Sequence, residues 1–260
     1  MPYRKLAFLF ITLIIIAGCS GIRQDTNVKA DEPRTPVAIA QFFDIKNSEQ
    51  MLVIFTAPPA VVKNLAPAPL VVSPYNLMVV YVSRTPTEKG FTQDMTLGVI
   101  TGYKGKMYMY PVYRVVDNKE ASELGRMITG SPTRIARITL EKKDKTVTAS
   151  VEREGKILFK ATMALGESGE PIDSSPVVSL KMVPGAQKDA PPELKQLTIG
   201  KIDAIKVHEL IDGEPTMEFD QSLTDHFPRV SVGAIYRGLY RKADYRVTNL
   251  GVLYDYLKAN

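Results

Sequence analysis

Two histidines, His208 and His226, one cysteine, Cys19, and a polar turn running through Thr133 and Arg134 are where chemistry could reside in this 260-residue chain. Two histidines and a lone cysteine are too few for a structural zinc site, so no metal is expected. Ser131 and Ser222 have no His and Asp at spacings that suggest a hydrolase triad. No glycine-rich phosphate loop follows an apolar strand, and no cofactor is expected. His208, between Val207 and Glu209, reads as a buried or interface histidine, and His226 as a loop residue. Lys142 and Lys143 stand beside Asp144-Lys145 and read as a solvated turn. Tyr103, Tyr108, Tyr110 and Tyr113 either line a pocket or pack sheets.

Cys19 has the clearest context. Arg4 and Lys5 precede an apolar run from Leu6 to Ala17, broken only by Thr12 and too short for a comfortable membrane span. Ile16-Ala17-Gly18-Cys19 then places small residues directly before the cysteine, the pattern of a bacterial lipoprotein signal. Cleavage before Cys19 leaves that residue to carry the lipid. Acyl chains contribute roughly 0.8 kcal/mol per buried CH2, and several on one residue hold a protein at a membrane stably. Ser20 follows; in enteric bacteria a residue other than Asp there directs the protein to the outer membrane. The expected location is therefore the cell envelope, facing the periplasm. With Cys19 lipidated, no disulfide can form.

The elements that must position the remaining residues are mostly strands. Residues 1–18 read as the signal, 19–36 as a polar, proline-bearing tether, and 37–260 as one domain. The net charge of +5 has its signs interspersed along the chain, which gives nucleic-acid binding no support. Val37–Ile45 and Gln50–Ala57 read as strands around an Asn47-Ser48 turn, and Pro58–Leu65 as a short helix. Tyr75–Ser83 is a strand, Thr85–Gly90 a loop, and Met95–Tyr103 with Lys106–Arg114 a hairpin about Lys104-Gly105. Asp117 is an expected N-cap for a helix from Asn118 to about Ile128.

That helix leads into the stretch Leu124–Leu140, which turns at Gly130 and Pro132 before an apolar strand. Arg134–Lys142, Thr146–Arg153 and Ile157–Ala164 read as a meander, with turns at Asp144-Lys145 and Glu154-Gly155. Gly166–Pro176 is an expected loop. Val177–Val183, Leu197–Leu210, Thr216–Phe219, Arg229–Tyr236, Leu239–Val247 and Leu250–Leu257 supply the remaining extended candidates. About twelve strands with few short helices argue a mainly β fold, an antiparallel sheet closed or nearly closed into a barrel.

The central stretch resembles the active-site segment of the acetoacetate decarboxylase family. There a Gly-Arg-Glu helix end leads through a Tyr-Pro turn into a Lys-Lys pair; Gly125-Arg126 and Pro132 keep that frame. Leu65-Ala-Pro-Ala-Pro-Leu70 resembles the family's Val-Pro-Glu-Pro-Leu turn, and Val178-Ser-Leu-Lys-Met-Val-Pro184 its Met-Leu-Lys-Ile-Ile-Pro strand. Val207-His208-Glu209 and Leu253–Lys258 match family segments nearly letter for letter. Together the segments run from about Phe43 to Lys258.

The resemblance implies a cone-shaped, closed β architecture around an apolar cavity. It also implies where the family's catalytic groups would fall. The imine-forming lysine falls on Thr133, and the cationic neighbour known in that family to activate it falls on Arg134. The pocket carboxylate of a Tyr-Thr-Glu run falls on Gln93, and a basic residue of an Asn-Arg-Glu segment on Ser48. A threonine hydroxyl cannot form an imine, and an arginine stays protonated.

The expectation is thus a lipid-anchored protein that binds a small organic ligand, in particular a carboxylate with an apolar body. It would do so through Arg134, Gln93 and Thr133, without imine decarboxylase chemistry. Two alternatives stay open: a decarboxylase or related lyase using a relocated lysine such as Lys142 or Lys143, and a structural envelope lipoprotein. Homo-oligomer formation is also open.

Overall fold

Apolar and polar residues alternate at period two through most of the chain, which puts one face of each strand toward a core. The computed structural model describes residues 42–88, 90–123, 133–172, 176–183, 190–220 and 230–259. The expected signal, tether and Cys19 lie outside them, as do Ser131, Ser222, His226 and the Gly130–Pro132 turn.

Twelve strands form one sheet. In chain order they are β1 (Phe42–Thr56), β2 (Val71–Val72), β3 (Leu77–Thr87), β4 (Gly90–Tyr103), β5 (Lys106–Val116) and β6 (Arg134–Ile135). Then come β7 (Arg137–Lys143), β8 (Thr146–Arg153), β9 (Lys156–Ser168), β10 (Val177–Val183), β11 (Leu194–Phe219) and β12 (Ile235–Asp255). A short helix, α1 (Pro59–Val62), follows β1. A second, α2, begins at 119, and its described part ends at 123.

The strand order is β10-β5-β4-β3-β1-β12-β11-β9-β8-β7. Because β10 pairs with both β5 and β11, the first seven strands of that order join into a ring. The arm β9-β8-β7 continues from the second half of β11 and folds back so that β7 packs against β3 and β4. Most of the main core lies between ring and arm. Met51, Val53 and Phe55 of β1, Met78, Val80 and Val82 of β3, and Met95, Leu97 and Val99 of β4 supply the ring side. Ile138, Leu140, Val147, Ala149, Val151, Phe159, Ala161 and Met163 supply the arm side. Full burial of one such side chain stabilises by about 1.5–3 kcal/mol. A smaller core gathers Leu70, Tyr108, Val178 and Leu197 against Tyr103, Tyr110 and Tyr254. Tyr103, Tyr108 and Tyr110 therefore pack sheets, and Tyr113 sits in the main core.

The mainly β class holds, while several boundaries differ from expectation. Asn47-Ser48 is a bulge inside β1, not a turn between two strands. The pairing with β12 steps from Ile45↔Tyr245 to Ser48↔Ala243, leaving Lys46 and Asn47 opposite Asp244. Asn47 takes φ 50°, and its N–H donates to Asp244 Oδ1 at 2.9 Å. Asparagine tolerates that conformation, so the strand bends without ending.

The expected Thr85–Gly90 loop is mostly strand, since Thr87 pairs with Gly90. The helix α2 is capped by Asn118 rather than Asp117: Asn118 Oδ1 accepts the Ala121 N–H at 2.8 Å. The separate segments read at 197–210 and 216–219 are one long strand, β11, and those read at 239–247 and 250–257 fall mostly in another, β12, while the strand expected over Arg229–Tyr236 is irregular at 230–234 and enters β12 only at Ile235. Gly213 faces Gly238 where β11 and β12 cross the suspected breaks. A Cβ on Gly213 would lie 2.5 Å from Met163 Cγ, and one on Gly238 2.5 Å from Pro215 Cδ. These glycines mark close approach of strands, not turns.

Candidate functional site

The core-facing alternation does not stop where the apolar residues do. On β1 the residue one step beyond Met51 on the inner face is Glu49; on β3, beyond Val82, it is Arg84. On β4, beyond Met95, come Gln93 and Phe91; on β7, beyond Leu140, Lys142; on β12, beyond Tyr240, Lys242. With Glu209 of β11 these side chains line a cavity of about 670 Å³ at one end of the main core. Four basic and three acidic side chains border it, so it is charged rather than the apolar cavity that the family resemblance implied.

Register orders this lining. Gln93 pairs with Arg84, Arg84 with Glu49, Glu49 with Lys242, and Lys242 with Glu209. One row across five neighbouring strands therefore alternates in charge from Arg84 to Glu209. Arg84 approaches Glu49 at 3.9 Å and stacks on Phe91, 3.5 Å from the ring centroid. Lys142 reaches over from the arm to pair with Glu209, and its ammonium lies 4.8 Å above the centre of the Tyr240 ring. Burial first, then the carboxylates of Glu49 and Glu209, holds the Tyr240 hydroxyl well above the usual phenol range. Tyr240 thus stays protonated and donates to Glu49. Lys242 stands between two carboxylates in register, yet among the described residues it forms no ion pair.

The residues singled out from the sequence fall in different places. Gln93 is at the cavity, but its amide joins ring to arm. Nε2–H donates to Ile138 O at 2.8 Å, and Oε1 accepts the Leu140 N–H at 3.0 Å. An ionised glutamate here could not make the first bond, so the amide is what lets one side chain both donate and accept across this gap. The Thr133 hydroxyl donates to Ser122 O at 3.1 Å and lies 2.7 Å from Ser122 Oγ, fastening the start of β6 to α2. Arg134 places its guanidinium 5.7 Å from the Tyr113 ring centroid. It lines a second depression of about 810 Å³ with Asp117, Arg137, Glu152 and Arg153. Thr133 and Arg134 do not meet Gln93 at one cavity.

Ser48 is buried, with Oγ 3.0 Å from Thr85 Oγ1; Glu49, its neighbour, is the residue that reaches the cavity. The bulge at Asn47 sets that choice. Lys142, read from sequence as part of a solvated turn, faces the cavity, and Lys143 borders it. His208 lies on the surface against Asp244, Nε2 to Oδ1 3.0 Å. The Asn47 N–H and His208 hold the Asp244 carboxyl down to about 2. Among the described residues no group of His, Cys, Asp and Glu is arranged to hold a metal.

Arg84, Tyr240 and Lys242 had no sequence motif to mark them, and Glu49 and Glu209 stood in family-like segments that drew attention to their neighbours Ser48 and His208 instead. The available signal was the inner-face alternation continued past the last apolar residue, and strand register was needed to join its pieces.

Comparison with known proteins agrees with this architecture. The acetoacetate decarboxylase family model matches residues 30–257. No curated protein matches the sequence. Acetoacetate decarboxylase from Legionella pneumophila is 20% identical with a TM-score of 0.72, over 94% of this chain and 96% of its own. An acetoacetate decarboxylase-like enzyme from Sphingomonas wittichii is 19% identical with a TM-score of 0.68, over 82% of this chain and 94% of its own. The enduracididine biosynthesis enzyme MppR, complexed with pyruvate, is 13% identical with a TM-score of 0.68, over 83% and 90%. Matched over most of its length by the family model, with the ring, arm and strand order described above, the chain belongs to the acetoacetate decarboxylase family.

Proposed function

We propose that this chain is a lipid-anchored, acetoacetate decarboxylase-like protein that holds a small carboxylate-bearing molecule in the cavity above Lys242. The carrying observation is the Lys242 ammonium, which forms no ion pair among the described residues, in a charged row at the end of the core. An ammonium at a cavity that is ion-paired with none of the described carboxylates is a natural seat for a ligand's carboxylate. The exposed Phe91 ring provides apolar surface for the body of the molecule. A protein of the same fold, MppR, complexed with pyruvate, supports a small carboxylate as the ligand class. Thr133 in place of the family's imine-forming lysine argues against the family reaction at that position. The lipoprotein pattern at Cys19 supports an anchor in the bacterial envelope, at the outer membrane and facing the periplasm.

The test is calorimetric titration of a panel of small carboxylates, with and without an amino group, against wild type, Lys242→Gln and Arg134→Ala. Lys242→Gln should weaken the best ligand at least about tenfold, roughly 1.4 kcal/mol, and Arg134→Ala should leave it within about twofold. The reverse pattern would move the site to the Arg134 depression. Lack of any binding would favour a structural envelope lipoprotein.

A second reading rests on Lys142, whose amine faces the same cavity. There the chain would be a lyase with its imine-forming lysine moved onto β7. The ion pair with Glu209 already engages that amine and so opposes nucleophilic attack. Borohydride reduction in the presence of acetoacetate or pyruvate, followed by peptide mass spectrometry, separates the readings. Binding alone leaves Lys142 unmodified, whereas a reduced adduct on Lys142 would make it an enzyme.

A further inference from the structure

We infer that the ligand of this cavity is a zwitterion: a small molecule carrying an ammonium and a carboxylate a few bonds apart, of which an α-amino acid is the simplest case. The inference rests on the reading of the cavity as a binding site and narrows its ligand class.

The argument starts from the spacing of charge. Arg84, Glu49, Lys242 and Glu209 come from four adjacent strands and pair in register. Neighbouring strands lie about 4.7–4.9 Å apart, so unlike charges recur at that interval and like charges at about twice it. A simple carboxylate seated on Lys242 has Glu49 on one side and Glu209 on the other, and both repel it. A simple amine seated on Glu49 has Arg84 and Lys242 on its two sides. Either ion satisfies one neighbour and opposes two. A zwitterion laid across the strands, carboxylate on Lys242 and ammonium on Glu49, continues the alternation instead.

The individual residues fit these roles. Glu209 is already engaged by Lys142. Glu49 meets Arg84 only as an ion pair at 3.9 Å, beyond hydrogen-bond distance, and accepts one bond from the Tyr240 hydroxyl. A carboxylate has about four acceptor sites, so Glu49 keeps capacity for an incoming ammonium. Two of the cavity's cations, Arg84 and Lys142, are already matched by Glu49 and Glu209. Pulling one away would leave an uncompensated carboxylate in a half-buried place. Discrimination thus comes from repulsion of the singly charged analogues as much as from attraction of the zwitterion.

The test uses the full chain and three matched trios that differ only in their charged groups. These are alanine, propanoate and ethylamine; leucine, isocaproate and isoamylamine; phenylalanine, hydrocinnamate and phenethylamine. Affinities are measured by calorimetry at low and at physiological salt. In at least one trio the amino acid should bind about tenfold or more tighter than both analogues. Glu49→Gln, checked for folding by circular dichroism, should lower the amino acid to the level of the carboxylate and leave the carboxylate unchanged or tighter. A carboxylate or an amine that binds wild type as tightly as its amino acid would overturn the inference while leaving the cavity a binding site. Failure of all three trios would remove the binding reading itself.

Discussion

Two regions of this protein compete for the role of functional site, and they are built in opposite ways. The Thr133–Arg134 segment is contiguous in sequence and resembles a family motif, with a threonine where the resemblance would place the imine-forming lysine. The cavity row draws Arg84, Glu49, Lys242 and Glu209 from four strands far apart in the chain, and no single motif spans it. In the first region, Thr133 has turned to a local structural bond with Ser122. In the second, charged side chains replace apolar ones where the core meets solvent. Loss of a catalytic residue from a motif therefore says little about whether the fold still holds a site elsewhere on its inner face.

The largest effect expected from breaking this comparison is on stability, at the residue joining ring to arm. Gln93→Leu strands the Ile138 carbonyl and the Leu140 N–H. At about 1–3 kcal/mol for each group left without a partner, the variant should lose about 2–6 kcal/mol in urea unfolding. A variant within 0.5 kcal/mol of wild type, to order of magnitude, would mean that Gln93 is free to serve a ligand.

Next in size is the Thr133 bond. Thr133→Val should cost about 1 kcal/mol of stability and leave ligand affinity unchanged. A lost ligand with stability intact would return the function to the motif.

Smaller again is the Lys142–Glu209 pair. Both side chains are about a third or less exposed, so solvent screens much of their attraction. A double-mutant cycle with Lys142→Met and Glu209→Gln should give a coupling of about 0.5–1 kcal/mol that fades in high salt. Coupling near zero at low salt would separate the two side chains in solution.

The smallest effect lies outside both regions, at the β1 bulge. The Asp244 carboxyl is lowered from 3.8 to about 2 in the folded chain, chiefly by the Asn47 N–H and then by His208. Its contribution to stability is present above the unfolded value and is lost as pH falls through the folded one. The stability gap between wild type and Asp244→Asn should therefore close as pH drops from about 4 to about 2. A gap that does not change with pH would remove the bond to Asn47 from the account.

Much of the fold was legible because period-two patterning is a local signal. β8 and β10 match their expected bounds, and the turns at Lys104-Gly105, Asp144-Lys145 and Glu154-Gly155 sit where expected. The failures share a cause: residues that usually break strands were held by tertiary contacts. Asn47 became a bulge because Asp244 receives its N–H, and Gly213 and Gly238 let two long strands approach closely. The site was less legible than the fold. Gln93 could be named from its motif, though its bonds to Ile138 and Leu140 depend on how the arm folds back. Glu49, Lys242 and Glu209 look like ordinary solvated strand residues until register sets them side by side.

The most direct measurement of the central claim is a crystal structure of the chain grown with a saturating amino acid or small carboxylate. The account predicts ligand density across the row, with the carboxylate on Lys242 and the body against Phe91. Density at the Arg134 depression instead, with the row still closed on itself, would contradict it.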